Sequence, residues 1–217
     1  MDYYTNVISY GNSILIRGVR NGERITARNK YQPTLFVPTQ KETQYKTLDG
    51  RSLTPVKQQS IKHSKAFLSQ YENQQNLIYG MTRYNFQYIS DNWRSDIKWN
   101  IDNILIVTID IEVASDNGFP KVEDSAEELL SISIKNHQSK KLVVFGIGEY
   151  VNSREDVSYV KCETEEELLK KFLTFWESSK PDVVTGWNSK FYDLPYLIHR
   201  IKILFGEDEV KRLSVWK

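Results

Sequence analysis

Two carboxylates stand at the end of an apolar stretch of the chain. Residues 104–109 are mainly apolar and β-branched, and Asp110 and Glu112 follow them. Such a run predicts a central strand buried on both faces, and side chains two positions apart on a strand share a face. Burying two like charges together is costly unless a cation compensates them. Because hard divalent cations such as Mg²⁺ or Mn²⁺ suit carboxylate oxygens, the pair predicts a metal site.

A third carboxylate occupies a comparable place later in the chain. Asp193 lies at the predicted start of a helix, soon after a strand predicted for residues 181–186. Strand ends and helix starts converge on one crevice in an open α/β sheet, so we expect Asp193 to reach Asp110 and Glu112. The alternatives are an ordinary helix-capping Asp193 and a solvated carboxylate pair on a strand that has already emerged. A shared site explains the three carboxylates together.

Composition describes a globular protein. The chain has 217 residues, of which 40% are hydrophobic and 12% aromatic, enough for one large domain or two small ones. No apolar stretch approaches the roughly 20 residues that span a bilayer, and the first residues do not form a signal peptide. We therefore expect a cytoplasmic protein without a membrane partner. Cys162 is the single cysteine, which excludes an internal disulfide and a zinc knuckle and favours a packing role.

The net charge of +1 conceals two halves of opposite sign. Residues 1–100 hold 14 basic and 7 acidic side chains, a net of +7, whereas residues 101–217 hold 15 and 21, a net of −6. A basic half attracts polyanions, and an acidic half with metal-binding carboxylates can act on them once cations neutralise it. The alternative is that both surfaces are merely solvated.

Short strands and turns are predicted in the first half. The Asn21-Gly22 pair between strand-like runs is a strong hairpin signal. Strands are predicted at residues 6–10, 13–19, 24–28 and 34–37, and a helix at 63–71. In residues 83–89 aromatic and polar side chains alternate, which predicts a strand with Tyr84, Phe86 and Tyr88 on one face. That face would stack bases or form half of a core, and core packing is favoured.

Longer elements are predicted in the second half, after a turn at residues 116–120. Strands at 129–134 and 142–146 should pair antiparallel, because only a short polar segment separates them. Thr164 should cap a helix that starts with three glutamates, where the helix dipole favours acids. A strand at 181–186 and a helix at 193–204 follow. This order predicts an α/β fold in which helices cover a mixed sheet.

Two pairs of segments resemble a known family. Residues 108–113 with 116–120, and residues 185–188 with 192–196, resemble the first and second proofreading-exonuclease motifs of family B DNA polymerases. The resemblance is strongest to the replicative polymerases of T-even-like bacteriophages and runs along the whole chain. It implies a β-rich α+β nucleic-acid-binding domain at residues 1–100. A ribonuclease H-like 3′–5′ exonuclease domain with the first and second motifs would follow at residues 101–217.

The resemblance also assigns roles to individual residues. It implies that Asp110, Glu112 and Asp193 are catalytic and hold two Mg²⁺ or Mn²⁺ ions, which hydrolyse the terminal phosphodiester of a primer. It implies that Asn188 and Tyr192 orient the single-stranded 3′ end. Phe119 would wedge against a base, although a phenylalanine in a Gly-Phe-Pro turn is equally consistent with a core position.

The family's third motif, Tyr-x-x-x-Asp, does not follow Asp193 in this sequence. We therefore expect an incomplete site that a second polymerase chain or segment completes, docked on an open sheet edge. The expected substrate is single-stranded or primer-template DNA, with RNA as a further possibility for the N-terminal domain, in the cytoplasm of a host cell. One alternative is a non-catalytic DNA- or RNA-binding module with a vestigial site. Another is a complete minimal nuclease that takes its last ligand from Glu123, Asp124 or Glu127.

Overall fold

The computed structural model of the chain describes residues 1–116 and 118–216. They form two compact units, Met1–Asn103 and Ile104–Lys217. Asn117, in the turn predicted at residues 116–120, lies outside the described residues. Among the helices that are described, none combines the length and the apolar character needed to cross a membrane.

Six strands form two sheets in the first unit. Their bounds are β1 Tyr3–Tyr10, β2 Ser13–Arg20, β3 Glu23–Lys30, β4 Thr34–Pro38, β5 Tyr45–Lys46 and β6 Ser52–Lys57. One sheet has the order β1-β2-β3 and the other β4-β6-β5, with antiparallel pairing throughout. Asn21 and Gly22 both have positive φ, at 52° and 80°, as the tight hairpin turn requires. The predicted strands and the Asn-Gly hairpin are confirmed.

Two helices complete the first unit, α1 Ile61–Ser69 and α2 Tyr84–Asn92. The strand predicted at residues 83–89 is wrong, because this segment begins α2. Tyr84 and Tyr88 are buried in a cluster with Ile14 and Ile16, whereas Phe86 is exposed. A spacing of four residues fits one face of a helix as well as one face of a strand, and here the helical period decides the burial.

Five strands of the second unit form one mixed sheet. Their bounds are β7 Ile106–Val113, β8 Leu129–Asn136, β9 Leu142–Ile147, β10 Val157–Cys162 and β11 Val183–Thr185. The order is β10-β9-β8-β7-β11, in which the two outer pairs are parallel and the inner pairs antiparallel. The mixed sheet and the antiparallel β8–β9 pair are confirmed. Strand β10 was not predicted, since Ser158 and Lys161 interrupt its apolar residues.

The helices of this unit are α3 Glu165–Ser179, α4 Asp193–Phe205 and the short α5 Glu207–Val210. Thr164 caps α3 as predicted, because its hydroxyl accepts a hydrogen bond from the Glu167 N–H. Apolar side chains of α3 and α4 share one core with β7 and β8, including the fully buried Phe172 and Ile201. Cys162 belongs to the same core, and burial raises the pKa of its thiol. Its predicted packing role is confirmed, as is the α/β class.

Candidate functional site

Strand β7 has an apolar face and a carboxylate face. Ile109 and Ile111 are buried in the core, whereas Asp110 and Glu112 are exposed on the other side. We expected this strand to be buried on both faces, and that is wrong. Only every second residue is fully buried, and this alternation is already present at Val107 and Ile109, before the carboxylates. Strand β8 pairs with β7 past both carboxylates, whereas β11 pairs only with Ile106, Val107 and Thr108, so the ladder on the β11 side ends before Asp110.

Asp193 is the first residue of α4, and only 4% of its surface is exposed. Its Oδ1 accepts a hydrogen bond of 3.1 Å from the backbone N–H of Ile111. Ile111 lies between Asp110 and Glu112 in β7, so this bond fastens the start of the helix beside the carboxylate pair. Asp193 is thus placed beside β7 as predicted, next to the residue that separates Asp110 from Glu112. It is not the N-cap of α4, which is Tyr192, and its carboxylate instead accepts a bond from the neighbouring strand.

Electrostatics link these carboxylates. Burial raises the pKa of Asp193, and the negative charge of Asp110 raises it further, while the backbone N–H of Ile111 opposes both effects. The pKa of the Tyr192 hydroxyl is also raised, first by burial and then by the charges of Asp193 and Glu112. A cation near Asp193 would favour its charged form and oppose both the burial and the repulsion by Asp110.

The donor set fits a hard divalent cation, because every candidate ligand is a carboxylate oxygen. Within residues 1–116 and 118–216, however, no three His, Cys, Asp or Glu side chains lie close enough together to hold a metal ion. This applies also to Glu123, Asp124 and Glu127, the local alternatives for a further ligand. The three carboxylates are neighbours, but their oxygens are not gathered into a finished coordination shell.

A glycine allows the second motif to approach β7 closely. Gly186 follows β11, which runs parallel to β7. A Cβ atom at Gly186 would lie 2.5 Å from the carbonyl oxygen of Ile109 and 2.9 Å from the Cβ of Ser189. The first contact is with backbone and cannot be relieved by a side-chain rotation. Glycine is therefore required where the chain turns from β11 toward the start of α4.

Asn188 forms the turn that places the start of α4. Its φ is 58°, in the left-handed region that Asn tolerates better than most residues. Its carbonyl oxygen accepts hydrogen bonds from the N–H groups of Phe191 and Tyr192, at 2.9 and 3.0 Å. The backbone of Asn188 thus sets the position of Tyr192 and of Asp193 after it, while the Asn188 side chain lies on the exposed surface.

Three exposed aromatic side chains belong to the two motif regions. Phe119 is 82% exposed, and its ring centroid is 5.5 Å from that of Tyr192. The core position considered for Phe119 is therefore wrong. Trp187 and Phe191 are 94% and 71% exposed, and the sequence analysis assigned neither of them a role. Residues in a turn show no strand or helix period, so their exposure could not be predicted from spacing.

An ion pair holds the segment between the two motifs. Arg200 of α4 and Glu165 of α3 form two parallel hydrogen bonds of 2.6 and 2.7 Å, with little exposure of either side chain. Arg200 also donates to the carbonyl oxygens of Ser125 and Ala126, and Glu165 accepts from the Leu129 N–H. Glu165 was predicted only as a helix-start residue, and the tertiary role of this pair was missed.

Comparisons with known proteins agree with this geometry. The family model described as DNA polymerase family B, exonuclease domain, matches residues 51–214. The DNA-directed DNA polymerase of Escherichia phage RB69 is 28% identical over 98% of this chain and 27% of its own length. The DNA-directed DNA polymerase of Enterobacteria phage T4 is 26% identical over 98% of this chain and 26% of its length. The chain thus spans about a quarter of the phage polymerases it matches.

A shorter similarity extends to viruses of animals. The DNA polymerase catalytic subunit of human herpesvirus 7 is 35% identical over 105 residues, which are 46% of this chain and 10% of that protein. The family match begins within the first compact unit and includes both sequence motifs. The resemblance stated from the motifs is confirmed: this chain belongs to DNA polymerase family B and contains the exonuclease domain of that family.

Proposed function

We propose that this chain carries the 3′–5′ proofreading exonuclease site of a phage DNA polymerase. The reaction is hydrolysis of the terminal phosphodiester of a primer strand, within a ribonuclease H-like domain at residues 101–217. The observation that carries the proposal is the hydrogen bond from the Ile111 N–H to Asp193, which joins the second motif to the first between Asp110 and Glu112. Family membership supports the reaction class.

Asp110, Glu112 and Asp193 are the residues that would hold two Mg²⁺ or Mn²⁺ ions. Such ions, when bound, supply an activated water and charge stabilisation for the leaving 3′ oxygen. The protein contributes the fixed orientation of the Asp193 carboxylate, which the buried hydrogen bond to β7 prevents from turning away. The exposed Asp110 and Glu112 remain free to adjust to the substrate and the ions.

We assign the positioning of the substrate to residues around the carboxylates. Tyr192 immediately precedes Asp193 and Asn188 begins the turn that leads to it, and we assign both to the 3′-terminal nucleotide. Phe119 is exposed and lies against Tyr192, so its ring is available to stack on an unpaired base. The substrate that suits these groups is single-stranded or frayed primer-template DNA, because stacking on protein rings requires bases released from a duplex.

The site needs further groups. Three carboxylates without a gathered coordination shell should bind ions weakly, so we infer that a second polymerase chain or segment supplies another carboxylate and a residue that orients the attacking water. Strand β11 offers an edge of the sheet on which such a segment can add backbone hydrogen bonds. Binding of RNA by a nucleic-acid-binding domain at residues 1–100 remains a separate prediction.

The test is release of nucleotides from the 3′ end of labelled single-stranded DNA by the purified chain in Mg²⁺ or Mn²⁺. Activity that Asp110→Ala abolishes and Glu155→Ala preserves would support the site, since Glu155 is an exposed carboxylate outside it. If the purified chain is inactive, the assay is repeated with the remaining polymerase segment added. If the two segments are shown to assemble and the assembled protein still releases no nucleotides from the 3′ end, the proposal is contradicted.

The second candidate is a non-catalytic module that binds single-stranded DNA or RNA and retains a vestigial exonuclease site. The lack of a three-ligand cluster among the described residues favours it, as does the net charge of +7 in residues 1–100. Its binding would fall with salt but would not depend on divalent ions. Metal-dependent cleavage that requires Asp110 would exclude it.

A further inference from the structure

The sheet β1-β2-β3 has one face that is strongly basic. Strand alternation places on this face the even-numbered residues 6–10 of β1 and 24–30 of β3, with the odd-numbered residues 13–19 of β2. We call this surface the basic face. Among its eleven strand positions four are Lys or Arg and none is Asp or Glu. Arg17, Leu15 and Val19 of the central strand β2 are buried, so the exposed cations of this face are those of β3. The opposite face carries the core residues Val7, Ile14 and Ile16.

Aromatic and apolar side chains lie among these cations. Tyr10 is 64% exposed, and Ile8 on the same strand is also exposed. The guanidinium carbon of Arg28 is 5.8 Å from the centroid of the Tyr10 ring, a cation–π contact. In the ladder, Tyr10 and Lys30 lie in one cross-strand row, with Ser13 between them. The exposed Tyr10 ring is thus bordered by two exposed positive side chains, Arg28 and Lys30, at one end of this face.

We propose that the basic face binds single-stranded DNA, with Tyr10 stacking on a base and with Arg28 and Lys30 contacting phosphates. The charge of the surface selects a polyanion, and residues 1–100 as a whole carry a net charge of +7. The exposed ring selects a strand with unpaired bases, because bases in a duplex are already stacked. DNA is chosen over RNA because the chain belongs to a DNA polymerase family. The proposal goes beyond the exonuclease site and does not require that the nuclease be active.

The experiment is fluorescence anisotropy of labelled oligodeoxythymidine with the 217-residue chain in EDTA, where divalent ions cannot support cleavage. Tyr10→Ala should weaken binding by about tenfold, the usual scale for loss of one stacking contact. Tyr10→Phe should retain most of the affinity, since it keeps the ring. Arg28→Gln should reduce the slope of log affinity against log salt by about 1. Arg20→Gln is the matched control, because Arg20 is exposed on the opposite face.

Two competitors complete the design. Duplex DNA of the same length should compete poorly, and RNA should not compete better than DNA. Because the binding is measured in EDTA, a failed nuclease assay leaves this result unaffected. Equal affinity of wild type, Tyr10→Ala and Arg28→Gln would overturn the proposal. Preferred binding of duplex DNA or of RNA would overturn it as well.

Discussion

The carboxylate face of β7 and the basic face of β1-β2-β3 have the same construction and opposite charge. In each sheet one face contributes to an apolar core, and the other carries charged side chains in contact with solvent. On β7 the charged residues are Asp110 and Glu112, near the buried Asp193, and their carboxylates attract cations. On the first sheet the charges are Lys and Arg around an exposed Tyr10, and they suit phosphates. Alternation along a strand therefore determines which side chains can carry charge into solvent, and the sign of those charges determines whether the face binds cations or phosphates.

The two faces should differ most clearly in a variant of Asp110. Asp110→Asn should lower metal-dependent nucleotide release roughly a hundredfold or more, because it removes a charge that we propose holds the ions at the reacting phosphate. Binding of oligodeoxythymidine in EDTA should not change. Both quantities are measured on the same preparation, with the matched Glu155→Gln as control. Parallel loss of cleavage and binding would break the separation between the faces.

The second prediction concerns the ion pair between Arg200 and Glu165, which stabilises the unit that carries the carboxylates. Arg200→Ala leaves the Glu165 carboxylate buried without its cation, which should cost about 3–5 kcal/mol of unfolding free energy. Urea denaturation followed by the fluorescence of Trp176, which lies in the core of the second unit, measures it. Lys211→Ala, which removes an exposed pair with Asp208, should have no measurable effect. Equal stability of the Arg200 variant and the wild type would show that the pair does not hold the segment at residues 125–129.

A smaller effect is expected from the aromatic group beside the carboxylates. Phe119→Ala should reduce nucleotide release from single-stranded DNA by about tenfold, through loss of one stacked base. Phe119→Trp should retain activity because it preserves a stacking surface. Initial rates at limiting and saturating DNA distinguish a binding defect from a chemical one. An unchanged rate in Phe119→Ala would remove this residue from the substrate site.

The smallest effect concerns the buried carboxylate itself. The pKa of Asp193 is raised on folding, so its stabilising contribution is fully present below the unfolded pKa and is lost as pH rises through the folded pKa. Asp193→Asn, which keeps an acceptor for the Ile111 N–H, should therefore melt slightly higher than wild type at pH 7 without divalent ions. The difference should vanish near the ordinary Asp pKa of about 3.9. A lower melting temperature for the variant at pH 7 would contradict the direction of this shift.

Local sequence signals predicted much of the fold. The Asn21-Gly22 turn and the Thr164 cap depend on neighbouring residues, and both were predicted correctly. Segment 83–89 was misassigned, because the four-residue spacing of Tyr84 and Tyr88 fits two periods and only tertiary packing decides between them. The Arg200–Glu165 pair joins residues 35 positions apart and leaves no local signal.

The approach of Asp193 to β7 was predictable for a general reason. Strand ends and helix starts meet at one side of an α/β sheet, so the sequence predicts the start of α4 beside the end of β7. Their degree of burial was not predictable, because it depends on which sheet face the helices cover. The close approach at Gly186 was likewise invisible in sequence, since it depends on the distance to the Ile109 carbonyl.

We propose that Asp110, Glu112 and Asp193 together bind divalent ions, and Mn²⁺ binding measured by electron paramagnetic resonance tests this without any need for activity. Titrations of wild type, Asp110→Asn and Asp193→Asn, with Glu155→Gln as control, give the affinity of each protein for Mn²⁺. We predict that the Asp110 and Asp193 variants each bind Mn²⁺ at least about tenfold more weakly than wild type and the control. Equal Mn²⁺ affinity in all four proteins would contradict the claim.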